Sequence, residues 1–265
     1  MSDWQRDPNA ERAHHHQQAM YAAQAAAARQ FAAQQAGYGQ MQPRAASESQ
    51  VAQFMSRVFG WMTLGLGLTA VVAWFTYTSG LMATVFKFYW GFLIAEIGLV
   101  VFLSARINKM SAITAITSFL VYAGLNGLTL SFIFVAYGLG SIAQTFLVTT
   151  MTFGFMAAYG FFAKKDLTSW GSLGFMALIG IILASIMNAI FFQSGTMGIA
   201  ISVIGVLVFV GLTAYDAQRL RMMAHMGFPN EEVEQKGAIL GALGLYLNFI
   251  NLFLMLLRLF GGGRD

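Results

Sequence analysis

Four runs of this chain carry no charge: 58–86, 110–163, 167–215 and 237–257. A helix that crosses a bilayer needs about 20 consecutive apolar residues. The first and last runs each fit one such helix, and the two long runs each fit two with a turn between. A further apolar stretch, 88–105, is interrupted only by Glu96. The pattern predicts seven helices, near 56–79, 82–104, 111–137, 141–162, 171–191, 197–218 and 237–259. Turn chemistry marks the breaks at Ser79-Gly80, Arg106 to Lys109, Tyr137-Gly138, Lys164 to Ser169 and Gln193-Ser194-Gly195. The longest connection is expected from Arg219 to Lys236, which carries Pro229 and Glu231, Glu232 and Glu234. No strand repeat of the outer-membrane barrel type is visible.

Composition points the same way. Of the 265 residues, 57% are hydrophobic and 10% charged, against about 25% charged in a globular domain. So much apolar surface has no place in a water-facing fold, and the expected class is an all-α integral membrane protein. The first part of the chain differs. It is polar, rich in Ala and Gln, and contains His14, His15 and His16. It reads as a disordered cytoplasmic tail with some nascent helix, and the three histidines lack further ligands for a firm metal site. The expected layout is a tail over 1–53, a membrane domain over 54–260 and a short tail over 261–265. The polar N-terminus has no signal-peptide core, so the first helix is expected to serve as its own uncleaved signal.

The net charge of +4 is scattered. No basic stripe interleaved with aromatics is present, which sets nucleic acid aside as a partner. Cysteine is absent, which excludes disulfides, thiolate nucleophiles and cysteine-held metals. The basic residues sort by helix end. One set of ends holds Arg44, Arg57, Arg106, Lys109, Lys164, Lys165, Arg219, Arg221 and Lys236; the other holds Lys87, Arg258 and Arg264. The positive-inside rule then predicts a cytoplasmic N-terminus and an outside C-terminus.

Only two acids fall where apolar sequence predicts a bilayer, Glu96 and Asp216. An ionisable group there is costly, and its default reading is a proton, ion or gating site. Glu96 lies ten residues before Arg106, about 15 Å of helix rise, and is expected to face the interior, protonated or hydrogen-bonded. A structural carboxyl and one on a conduction path remain equal readings. Asp216 has two candidate partners. Arg219, three residues on, gives a local interfacial pair; Arg106, whose helix ends on the same side, gives a latch closing the inner mouth of a cavity. In the last helix Gly237, Gly241, Gly244, Asn248, Asn251, Met255 and Arg258 follow steps of 4 and 3 and form one seam. Glycine admits close backbones, and Asn seeks partners inside a bundle. The seam serves packing alone or lines a conduit. Asn126, Thr129, Asn188 and Thr213 are either interhelical glue or part of a wet interior.

Enzymes fare poorly. A retinal protein needs a lysine in the last helix, and 237–259 contains none. A rhomboid-type protease needs an intramembrane His, but His14, His15, His16 and His225 lie in polar segments. Tyr215-Asp216 mimics the first motif of an intramembrane aspartyl protease, yet that chemistry needs two carboxylates sharing a proton, and the later glycine-containing segment offers Asn248. No enzymatic activity and no cofactor are expected.

The stretch Gly-Leu-Thr-Ala-Tyr-Asp-Ala-Gln-Arg-Leu over 211–220 resembles the sixth-helix signature of the Bax inhibitor family, the transmembrane Bax-inhibitor-motif proteins. Leu-Tyr-Leu-Asn-Phe-Ile-Asn-Leu-Phe-Leu-Met-Leu-Leu-Arg over 245–258 resembles its last helix, and Glu96 to Arg106 fits its second. The resemblance covers about 54 to 260 and leaves out the Ala/Gln-rich tail. It implies seven helices with the last enclosed by the other six, a bacterial inner-membrane location, and a pH-sensitive calcium leak with calcium as transported ion. In some bacterial relatives it also implies a modulatory contact with a membrane protease. By position, Asp216 looks like the family's sixth-helix acid and Arg106 like its latch arginine. Asn248 departs from the pattern, because several relatives carry a second aspartate there, and two close carboxylates titrate as a pair. What remains is one acid set against Arg106.

Two function classes follow. The first is a cation leak with Asp216, Arg106, Glu96, Asn248 and Asn251 on the path or its gate. The second is a non-conducting modulator docked on a membrane protease or other complex through the tail and the 219–236 segment. Deleting those segments abolishes docking and spares flux. The glycine and aromatic patterns on several helices equally serve lipids or a second copy, so the sequence leaves the oligomeric state and any bound metal open.

Overall fold

A computed structural model describes residues 46–261, and every extended element in it is helical. Seven helices are long and apolar enough to cross a membrane. We number them α1 (Glu48–Thr78), α2 (Tyr89–Arg106), α3 (Ala112–Leu130), α4 (Leu139–Phe162), α5 (Thr168–Met187), α6 (Gly195–Met226) and α7 (Glu231–Phe260). Each overlaps one predicted span. Residues 1–45 of the expected tail, with the three adjacent histidines, and Arg264 lie outside the described residues; α1 begins inside the last part of that expected tail, at Glu48.

Two expectations need correction. The predicted second and third helices are split: a short helix, Met82–Lys87, precedes a break at Phe88, and another, Ile133–Ala136, follows a break at Ser131 and Phe132. The long 219–236 connection is a four-residue turn, because α6 runs on to Met226 and α7 begins at Glu231. Local chemistry explains the extension. Gly227 adopts φ 75°, a left-handed conformation that glycine accepts freely and that ends α6. The Asn230 side chain then accepts from the Val233 N–H at 2.9 Å, and Glu231, Glu232 and Glu234 fill the first turn of α7, where the helix dipole favours acids. Charge marked the edge of the bilayer there, and the helices continue past it.

One end of the bundle gathers the basic residues. Arg57 pairs with Glu234 at 3.1 Å, Lys236 reaches the Met110 carbonyl at 3.3 Å, and Arg221 donates to the Phe161 carbonyl at 2.8 Å. These contacts tie the ends of α1, α3, α4, α6 and α7 together. We call this the basic end; α1 begins there and α7 terminates at the opposite one. Arg258, near the end of α7, lies against Gly198 at the start of α6.

The core is built around α7, whose apolar stretch is 67% buried, against 44% or less for each other span. Tyr246, Leu245, Leu252 and Leu257 on it are fully buried. It packs closely on α1, α3, α4 and α6. By contrast, α2 packs mainly on α3 and α5 mainly on α6, and neither packs closely on the other. Their outer faces carry exposed Trp90, Ile94, Leu173 and Phe175, as lipid contact requires.

Candidate ion-path site

The two membrane acids line one cavity. It measures about 790 Å³ and lies between α2, α5, α6 and α7, with Glu96, Asp216, Asn248 and Asn251 on its wall. A smaller crevice of about 140 Å³ lies toward the basic end, between α6 and α7. Leu220 and Met223 form one side of it, Gly237, Gly241 and Gly244 the other, and Asp216 lines it too. Asp216 therefore belongs to both hollows.

The Asp216 carboxylate accepts a hydrogen bond from Asn248 Nδ2 at 2.7 Å, a length typical of a charge-assisted bond. This corrects the latch expectation. Arg106 is exposed and makes no ion pair among the described residues. The reason is helical phase. Glu96 and Leu103 face inward from α2; Arg106, ten residues after Glu96, points about 80° away from it. Arg219 is exposed, makes no direct ion pair among the described residues, and lines both hollows beside Asp216. Asn251 lines the cavity while donating to the Leu247 carbonyl of its own helix at 2.8 Å.

Glu96 is 8% exposed and satisfied by α3. Thr129 donates to Oε1 at 2.8 Å, and Asn126 Nδ2 to Oε2 at 3.3 Å. Asn126 also reaches the Tyr122 hydroxyl at 3.4 Å, and its own Oδ1 is buried without a partner. The Tyr122 ring meets Tyr246 edge to face at 5.7 Å, and the Tyr246 hydroxyl pairs with Thr69 of α1 at 2.7 Å. Asn126 and Thr129, weak signals in the sequence, thus hold the Glu96 carboxylate. Thr213 is bound to its own helix and Asn188 to Ser194; neither lines the cavity.

The 211–220 segment is held on every side. A Cβ at Gly160 of α4 would overlap the Ala214 carbonyl, so these backbones touch. At Gly171 of α5 it would stand 2.5 Å from the Tyr215 ring, and at Gly241 of α7 2.6 Å from Leu220. The packing role of the seam is concentrated at Gly241. At Gly244 a Cβ would meet nothing closer than Asp216 at 3.9 Å, and at Gly237 it would meet the Phe228 ring edge at 3.2 Å and the Met223 methyl at 3.6 Å, both side-chain ends.

Two further residues escaped the sequence reading. Gln218, buried, accepts from the Leu167 N–H at 2.8 Å and donates to the Lys165 carbonyl at 2.7 Å and that of Ala163 at 3.3 Å. Arg221 caps the C-terminal end of α4 through Phe161 and lies over that ring at 5.3 Å. Gln218 binds main-chain atoms of the α4–α5 connection, and Arg221 binds the end of α4 that leads into it. They fix that connection to the helix that carries Asp216.

Comparison with known proteins agrees with the fold and the motifs. The family model described as inhibitor of apoptosis-promoting Bax1 matches residues 51–265. The inner membrane protein YbhL of Escherichia coli K12 is 48% identical over 229 residues, covering 84% of this chain and 96% of its own length. Proteins named only as uncharacterized, from Borreliella burgdorferi and Deinococcus radiodurans, are each 42% identical over 217 residues. They cover 80% and 82% of this chain and 93% of their own lengths. With seven apolar helices, the two late-helix motifs and these matches together, the chain belongs to the Bax inhibitor family.

Proposed function

We propose that this multi-pass inner-membrane protein is a pH-sensitive cation leak, calcium among its ions, gated where Asp216 of α6 meets Asn248 of α7. One observation carries the reading: Asp216 lines both the crevice toward the basic end and the larger cavity, and its carboxylate is bonded across to Asn248. A path from one hollow to the other passes this pair. Glu96, Asn248 and Asn251 add oxygen atoms to the cavity wall, and oxygen is the donor that calcium takes. The basic end faces the cytoplasm, by the same charge asymmetry that sets membrane orientation in general.

Protonation supplies the switch. A charged carboxylate strengthens the bond to Asn248, and a proton on Asp216 removes that contribution and loosens the plug between α6 and α7. Arg106 has no part in this gate as it stands. No chemistry on a substrate is involved, so the protein is a conduit and not an enzyme.

The test is calcium flux into liposomes over a range of pH, for wild type and Asp216→Asn. Wild-type flux rises as pH falls. Asn at 216 still bonds Asn248 but does not titrate, so that variant responds little to pH. Identical traces from the two proteins reject the gate. Flux no greater than that of empty liposomes rejects the leak and leaves a non-conducting modulator of a membrane complex.

A further inference from the structure

The cavity has a missing wall. On the lipid side it is bounded by α2 and α5, which do not pack closely on each other. Ile97 and Val101 line its α2 lip, Phe175 and Ile182 its α5 lip, and each is at least half exposed. Behind these apolar lips stand Asp216, Asn248, Asn251 and Glu96. A gap at this depth opens into hydrocarbon.

Its dimensions and charge fit one occupant. The α5 residues that line it run from Thr168 to Ile182, about 21 Å of helix. Half of a bilayer including its headgroup region is also about 21 Å. The gap therefore spans one leaflet, from the basic end inward. At that end Arg219 lines it beside Asp216, exposed and without a direct ion pair among the described residues. A cation at headgroup height above an apolar slot one leaflet deep complements a lipid with a negative headgroup. A second copy of this chain in the same orientation would bring its own basic end toward Arg219, and like charges oppose such docking.

We infer that the gap between α2 and α5 seats one acyl chain of an anionic phospholipid, with the headgroup phosphate at Arg219, so that a lipid completes the outer wall of the cavity. The lipid separates the polar wall from the rest of the bilayer. This inference concerns binding and stands independently of whether the cavity conducts.

The experiment uses the full chain in nanodiscs of equal parts phosphatidylglycerol and phosphatidylcholine, released into native mass spectrometry. Wild type retains phosphatidylglycerol over phosphatidylcholine by about fivefold, the preference that one basic side chain near an anionic surface confers. Arg219→Gln abolishes the preference, whereas Lys164→Gln, at the same end but away from the gap, preserves it. Leu178→Trp, which fills the slot, lowers retention of both lipids. Equal retention of the two lipids by wild type overturns the proposal, as does a preference unchanged in Arg219→Gln. Release of the protein as a lipid-free dimer overturns it in favour of a second copy.

Discussion

Asn248 and Asp216 are joined by a single 2.7 Å hydrogen bond that links α7, the most buried helix, to α6, which also packs on α1, α4 and α5. The bond joins an amide to an acid. Asn248→Asp is the informative substitution. Two carboxylates at this spacing share a proton and titrate in two macroscopic steps. The pH profile of calcium flux in liposomes is expected to gain a second step and steepen relative to wild type. A profile identical to wild type would argue against Asn248 lying on the path.

The Glu96 carboxylate depends on α3 for its partners. Thr129→Val keeps the shape of the side chain and removes the 2.8 Å donor to Oε1. The loss is expected to cost about 1–3 kcal/mol, the penalty for a buried polar group left short of a partner. Thr129→Ser restores the donor and most of the stability. Thermal unfolding in detergent separates the three proteins; equal midpoints for Val and wild type would show that the bond contributes nothing.

Gly160 and Gly154 lie on the same helix and differ in what a methyl group would meet. Gly160→Ala drives Cβ into the Ala214 carbonyl, whereas Gly154→Ala meets nothing within 4 Å. The first is expected to destabilise by about 1–3 kcal/mol through overpacking. The second is expected to stay within about 1 kcal/mol of wild type, with helix propensity in its favour. Denaturation midpoints compared in one detergent test the contrast.

Asp166 controls the entry to α5 outside the membrane. Its Oδ1 accepts from the Thr168 hydroxyl at 2.6 Å and from the Thr168 N–H at 2.9 Å. Both bonds favour the ionised form and hold its carboxyl below the usual aspartate range. The folded-state value is depressed, so the contribution is complete above the ordinary aspartate pKa of about 3.9 and is lost as pH falls through the lowered value. Hydrogen exchange at the Thr168 amide, corrected for intrinsic rate, is expected to accelerate in that window in wild type. Asp166→Ala has no such step.

Much of this was legible because charges are so sparse. A run such as 110–163 without an ionised group has few ways to exist in water, and the number of spans follows from its length. The same signal fails at helix ends. Arg219 and Glu231 announce water, but helices persist in water when a cap such as Asn230 and a stop such as Gly227 permit it. The site divides in the same manner. Asp216, Asn248, Asn251 and Glu96 stood out as polar residues among apolar ones, and all four meet at one cavity. Arg106 was placed by its depth and by its position in the family pattern, and neither fixes the azimuth of a side chain. Gln218 and Arg221 passed as ordinary interfacial polarity because their partners are main-chain oxygen atoms of a distant connection, which carry no sequence signature. Gly160 was invisible for the same reason: its neighbour is the carbonyl of Ala214, 54 residues away.

The glycines that let α4, α5 and α7 close in on α6 have an effect on how this acid can be studied. A main-chain contact at Ala214, a ring contact at Tyr215 and an aliphatic contact at Leu220 set the height and rotation of the segment bearing residue 216. Its attachment to the scaffold is therefore independent of the amide it faces. Chemists can alter the head of that side chain, or its counterpart on the neighbouring helix, and read a change of proton affinity or permeation without the backbone beneath having shifted.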